Sequence, residues 1–234
     1  MNLIEKCLGV LYPQTCCFCG KVSTEPICKE CKGEITYIEE PICKKCGKPI
    51  RYEENEYCSD CAHHEFYYEQ GRSVWPHTGK VRWSIYQFKY YNRRIYGKFY
   101  AQELFRLHGQ WIKSKEIEVI VPVPLHKKKK RLRGYNQSEL VARHLGRLLG
   151  IPVNPKAVIR VRNTKPQKEL SNKERRKNLQ DAFQLTKHWK GEKNVLLIDD
   201  IYTTGNTIDS VAKLLREKGV NKVWFLTISI GQGF

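Results

Sequence analysis

The chain has 234 residues, of which 41% are hydrophobic, 11% aromatic and 28% charged, a balance that supplies a packed interior and excludes both a disordered chain and a single tiny module. Lysine and arginine total 42 against 24 acidic residues, for a formal charge of +18; this predicts polyanionic company, whether nucleic acid, phosphorylated ligand or anionic lipid, without choosing among them. The excess is uneven, with 8 basic and 11 acidic side chains in residues 1–66 against 34 and 13 in residues 67–234, so two domains over those ranges are expected.

In chain order, Leu3, Ile4, Cys7, Leu8 and Leu11 fall on one helical face, which predicts a short amphipathic helix docked on its own protein. The segment is too short for a bilayer, carries Glu5 and Lys6 and lacks a small-residue cleavage site. No membrane span and no export signal are read from the sequence, and a cytoplasmic protein is expected.

Ten cysteines follow a strict rule. Eight form four C-x-x-C pairs: Cys16 with Cys19, Cys28 with Cys31, Cys43 with Cys46, and Cys58 with Cys61. Random placement would give about 0.4 such pairs. Two knuckles complete a tetrahedral thiolate shell, so four imply two zinc ions with no open position, hence structural metal. Disulfides suit a cytoplasmic chain poorly, and a redox motif needs one pair, not four. The segment is polar, with few large aliphatic side chains, and metal supplies the folding free energy it lacks, about 10–16 kcal/mol per site in zinc-finger peptides. Sequential pairing (Cys16, Cys19, Cys28 and Cys31, then Cys43, Cys46, Cys58 and Cys61) is favoured, with a crossed arrangement left open. Cys7 and Cys17 are read as spectators, and His63 and His64 as surface residues. The slight negative charge of this region suits a protein partner or docking on the basic domain.

From Glu69 onward, helical spacing alternates with buried apolar runs. Helices are predicted over 81–90, 95–112, 138–149 and 207–218, and strands at 119–121, 195–198 and 223–230. That order predicts an α/β fold with a parallel sheet flanked by helices, and ligand chemistry at the carboxyl ends of its strands. At one such end stands Asp199-Asp200-Ile201-Tyr202-Thr203-Thr204-Gly205-Asn206-Thr207. Amides and hydroxyls at a helix N-terminus cradle an anion, and Gly205 permits its close approach. The two carboxylates would repel a phosphate, so they face hydroxyls or a hard divalent cation beside it. A ribose 5′-phosphate meets both demands.

This run of an apolar strand, two aspartates and Thr-Thr-Gly-x-Thr resembles the phosphoribosyl pyrophosphate (PRPP) fingerprint of type I phosphoribosyltransferases, with Asn206 a mild departure. Val121-Pro122-Val123-Pro124-Leu125-His126, Arg131-Leu132-Arg133-Gly134-Tyr135-Asn136-Gln137, and Pro166, Gln167, Leu170, Arg175, Asn178 and Phe183 look like the ComF family of competence proteins. That family also carries an N-terminal double zinc ribbon, so the likeness covers nearly the full length. The resemblance implies that Asp199 and Asp200 hold the ribose hydroxyls, that Thr203, Thr204, Gly205, Asn206 and Thr207 hold the 5′-phosphate, and that Pro122, Val123 and Pro124 belong to the pyrophosphate loop. It also implies that residues 160–183 form the loop that closes over PRPP, with Arg162, Gln167 and Arg175 as contacts, that magnesium accompanies PRPP, and that the competence helicase ComFA is a partner.

Two functions of different class follow. One is a PRPP-binding protein of natural transformation that handles incoming single-stranded DNA; the other is an active phosphoribosyltransferase with an unidentified acceptor. Lys127, Lys128, Lys129, Lys130, Arg131, Arg133, Lys173 and Arg176 exceed what one pyrophosphate can use and are candidate DNA contacts. Phe88, Tyr90, Tyr91, Tyr96, Phe99 and Tyr100, interleaved with Lys89, Arg93, Arg94 and Lys98, are candidates for base stacking, some of them packing inward.

Overall fold

The structure, a computed structural model, describes residues 14–162 and 182–231. The amphipathic segment of residues 3–11 lies outside them. The described elements are α1 (Lys29–Glu34), α2 (Ser59–Ala62), β1 (Gln70–Pro76), α3 (Gly79–Tyr90), α4 (Tyr96–Lys113), β2 (Val119–Pro122), α5 (Lys127–Arg133), α6 (Gln137–Leu149), β3 (Val158–Arg160), β4 (Phe183–Leu185), β5 (Asn194–Tyr202), α7 (Asn206–Glu217) and β6 (Lys222–Ile230).

The core is a four-stranded parallel sheet in the order β1-β6-β5-β2. Its central strands are continuous apolar runs because both faces are covered. Leu196 and Ile198 point into one hydrophobic cluster with α3, α4 and α6, while Val195 and Leu197 point into another with α7. Pro122 closes β2, an edge strand, where a residue without an N–H costs least. All four carboxyl ends lie on one side of the molecule. The predicted helices and the three predicted strands are present, with termini shifted by a few residues.

Four elements beyond the cysteine-rich region were not legible as such. β1 has no apolar alternation; it forms because Gly71 leaves room for the Phe225 ring, which an added Cβ would meet at 2.0 Å, and because Ser73 and Thr227 pair their hydroxyls at 2.6 Å in the interior. The basic run 127–133 is a helix, started by the His126 side chain, which accepts from Lys128 N, and stopped by Gly134 at φ 76. Residues 160 and 183, read as the limits of one closing loop, pair as members of the antiparallel strands β3 and β4, and residues 163–181 between them lie outside the described residues.

The cysteine knuckles group sequentially, which settles the pairing left open above. Within each of the sets Cys16, Cys19, Cys28, Cys31 and Cys43, Cys46, Cys58, Cys61, the sulfurs all lie within 4.8 Å of one another. Each set joins a hairpin knuckle, turned by Gly20 or Gly47 at φ 76 or 75, to a knuckle that opens α1 or α2. The Cys19–Cys28 and Cys46–Cys58 sulfur separations are both 3.7 Å. A tetrahedral shell with Zn–S bonds near 2.3 Å needs about 3.8 Å. The amides of Phe18 and Cys28 also donate to Cys16 Sγ, each at 3.4 Å, as suits a thiolate. The donor sets therefore fit two structural zinc ions. Cys17 and the two histidines stay outside both sets, Cys17 in the core and the histidines exposed.

The ribbons dock on opposite faces of the sheet. In the first, Phe18 sits edge-on to Trp75 and Phe99 at 5.4 and 5.9 Å. In the second, Gly71 N donates to Lys45 O at 2.8 Å, and the buried cysteines share a cluster with Tyr68, Tyr202 and Phe225. Wild-type protein is expected to carry two zinc ions per chain by elemental analysis, and Cys19→Ser or Cys46→Ser one each. Two ions retained in either variant would overturn the four-thiolate assignment.

Candidate functional site

The site is built at the carboxyl ends of β5 and β2. After Tyr202 the chain turns through Thr203 and Thr204, and Gly205 enters α7 with φ 78. A Cβ on Gly205 would lie 2.5 Å from the Tyr202 hydroxyl, so both the left-handed backbone and the close approach require glycine. Tyr202 is fixed from below by a 2.7 Å bond between its hydroxyl and that of Tyr68, and by stacking on Phe225 at 4.9 Å. Thr204 Oγ1 and Asn206 Nδ2 are buried and have no hydrogen-bond partner among the described residues. Such atoms are costly to leave unpaired in an interior. Asn206, the departure from the fingerprint, thus places a buried, unpaired donor in the first turn of α7.

Asp199 Oδ1 accepts from Ser138 Oγ at 2.9 Å and from the Asp200 amide at 2.8 Å. Burial, and then the neighbouring Asp200 carboxylate, push Asp199 up to about 7. Asp200 accepts from Lys89 Nζ at 2.8 Å, with the two side chains 13% and 16% exposed. Nothing in the sequence set Lys89 apart from the other lysines of its helix; tertiary packing of α3 against the end of β5 selects it.

Residues 122–124 adjoin this corner. Val123 N donates to Ile198 O at 2.9 Å, and Asn136 Nδ2 donates to Val123 O at 3.0 Å. All three side chains are buried, so the segment offers main chain rather than side chains to a ligand. Cations converge beside it from three elements. The Lys129 ammonium is held below the ordinary lysine range by burial and then by the like charges of Arg160, Arg133 and Lys89. Arg160 is lowered by burial, with Asp199 opposing that shift. Of the basic run, Lys129 and Arg133 are thus partly buried toward the site, while Lys127, Lys128, Lys130 and Arg131 face solvent. Arg162 is exposed at the end of the described segment after β3. Gln167, Lys173, Arg175 and Arg176 lie outside the described residues.

The aromatic reading needs correction. Phe88, Tyr96, Phe99 and Tyr100 are core residues, between 0% and 7% exposed, because they occupy the inward faces of α3 and α4. Tyr90 and Tyr91 remain at the surface, joined by Tyr86, which the sequence had not singled out. Among the described residues no helix is long and apolar enough to cross a membrane.

Two family descriptions match the chain: a double zinc ribbon domain over residues 7–62 and a phosphoribosyl transferase domain over residues 134–229. Competence protein F of Haemophilus influenzae is 44% identical over 108 residues, covering 45% of this chain and 47% of that protein. DNA utilization protein YhgH of Escherichia coli is 38% identical over 109 residues, covering 46% and 48%. Competence protein ComFC of Bacillus subtilis is 31% identical over 151 residues, covering 64% and 59%. The chain thus spans about half the length of the first two relatives. With two four-thiolate ribbons preceding a parallel sheet that ends in the acid pair and its glycine turn, the chain carries an N-terminal double zinc ribbon domain and a phosphoribosyl transferase domain, and is similar in sequence to the ComF and YhgH competence and DNA utilization proteins.

Proposed function

We propose that this protein binds PRPP with magnesium at the β5–α7 corner and handles single-stranded DNA in the cytoplasm during natural transformation, in partnership with the helicase ComFA. The observation that carries the PRPP reading is the pair of buried, unpartnered polar atoms on Thr204 and Asn206, beside a helix N-terminus suited to a 5′-phosphate. Asp199 and Asp200 would take the ribose hydroxyls. The convergence of Lys89, Lys129, Arg133 and Arg160 suits the pyrophosphate, whose charge it would neutralise. Magnesium, when bound with PRPP, would screen the remaining phosphate charge. The relatives' names, competence protein and DNA utilization protein, support the DNA reading, as does the exposed part of the basic run.

Calorimetry with PRPP and magnesium tests the site. The double variant Asp199→Ala, Asp200→Ala should weaken binding by about 100-fold or more, the loss of hydrogen bonds to two charged acceptors, with zinc content and melting temperature showing a folded chain. Unchanged affinity would remove the assignment. Following pyrophosphate release in the same mixtures separates binding from transfer, since stoichiometric binding without release supports the binding protein and turnover supports the transferase.

Because the Asp199 carboxyl sits at about 7 in the folded protein against an ordinary 3.8, the native state holds a proton that the unfolded chain has lost between those values. Stability then falls as pH rises through that window and levels off above it. Asp199→Asn should melt higher than wild type at pH about 8 and show no such gain at pH about 4. An equal difference at both values would contradict the shift.

Single-stranded DNA affinity should fall linearly on a logarithmic salt scale with a slope of about −0.7 per phosphate contacted. A flat response would sink the DNA reading.

A further inference from the structure

Helix α3 has two faces with opposite fates. Val81, Ser84, Ile85 and Phe88 are buried, Ser84 and Phe88 against Tyr100 of α4, whereas Tyr86 and Tyr90, one turn apart, and Tyr91 just beyond stand 49%, 51% and 58% exposed. The three rings form one cluster, with Tyr86 at 4.9 Å from Tyr90 and 5.8 Å from Tyr91, centroid to centroid. The cluster is braced, because the Arg133 guanidinium lies 4.8 Å from the Tyr90 ring centroid and Arg133 Nη2 donates to Tyr90 Oη at 3.1 Å. Arg133 is itself held by Gln137 at 3.2 Å.

The two helices that flank this patch carry charge of one sign. No aspartate or glutamate occurs between Glu69 and Glu103, nor between Glu118 and Glu139, the two stretches that supply α3 and α5. A partner must therefore offer flat apolar surfaces and negative charge together, at a spacing a few ångströms apart. Unpaired bases on a phosphate backbone do so; a duplex keeps its base faces stacked inside and does not.

Resting on the DNA reading above and giving it a location, we propose that Tyr86, Tyr90 and Tyr91, with Arg133 at their edge, are the base-stacking platform for single-stranded nucleic acid. The exposed lysines of α5 follow the phosphates next to it. Lys89, the neighbour of Tyr90 in sequence, is ion-paired to Asp200, so the platform borders the acid pair of the phosphate site.

The test uses the full-length zinc-loaded protein and fluorescence anisotropy with two probes, an oligothymidine and an abasic oligonucleotide of equal length. Wild type should bind the oligothymidine more tightly than the abasic strand. Tyr86→Ala with Tyr91→Ala should bind oligothymidine about 5- to 100-fold more weakly, close to its binding of the abasic strand, with an unchanged salt slope because no phosphate contact is lost. Tyr86→Phe with Tyr91→Phe should behave as wild type, since the rings remain. Both pairs should retain two zinc ions and the wild-type melting temperature.

Equal oligothymidine affinity in wild type and the alanine pair would overturn the platform while leaving DNA binding intact. A wild-type protein that binds neither probe would remove the DNA reading itself. If the alanine pair keeps oligothymidine binding but loses binding to phosphatidylserine vesicles, the patch faces lipid and the proposal fails.

Discussion

Two carboxylates on consecutive residues at the end of a strand buried on both faces repel one another and are poorly hydrated. That constraint organises the site. Asp199 is relieved by two donors, the Ser138 hydroxyl and the Asp200 amide, and Asp200 by the Lys89 ammonium. Those donors come from α6, β5 and α3, so the elements around the sheet edge are placed by the same electrostatic demand. The pair is costly to hold in the folded chain, as the raised Asp199 carboxyl shows. Groups that carry such a cost are retained where a ligand uses them.

The ribbons answer a different constraint. Their chain has too little apolar surface to fold alone, yet they are not appendages tethered at a distance. Phe18 of the first ribbon enters the aromatic cluster of Trp75 and Phe99. The second ribbon lies against Tyr68, whose hydroxyl reaches Tyr202, which in turn is covered by Gly205. A continuous packed path thus runs from the second cysteine cluster to the turn between β5 and α7. Packing this tight has little room to adjust, so the ribbon is part of the support on which the turn rests.

How much of this was legible in sequence depends on where the information resides. The strand Val195-Leu196-Leu197-Ile198, the acid pair and the Thr-Thr-Gly turn are local signals, since each residue type is demanded by its own backbone position. The cysteine spacing was likewise local, but it favoured the sequential grouping without excluding a crossed one, which is decided only where the sulfurs assemble. β1 was illegible because its residues suit a strand only when Phe225 lies over Gly71 and Thr227 meets Ser73, a fit that exists only after β6 has formed beside it. Lys89 was hidden for the same reason, one cation among many until α3 packs. The aromatic run misled in the other direction. Tyr96, Phe99 and Tyr100 carry the same residue types as a stacking surface, and only their helical phase relative to the core decides that they are buried.

The remaining surface is explained by charge that the fold leaves unbalanced. Helix α5 carries six cations in seven residues. Those in its last turn suit the negative end of the helix dipole, but Lys127 and Lys128 in the first turn oppose the positive end. Glu139 reaches Lys130 at 3.4 Å, a half-exposed pair of modest value. Behind the helix, Lys129 is pressed against the like charges of Arg160, Arg133 and Lys89. A chain selected for stability alone would place acids here; this one keeps two long stretches free of them. Electrostatic repulsion on this side and unpaired polar atoms in the turn are two forms of the same condition, an unmet demand for anion that the protein cannot satisfy from its described residues. Under the proposed function, phosphate, free or on a nucleic-acid backbone, would satisfy both.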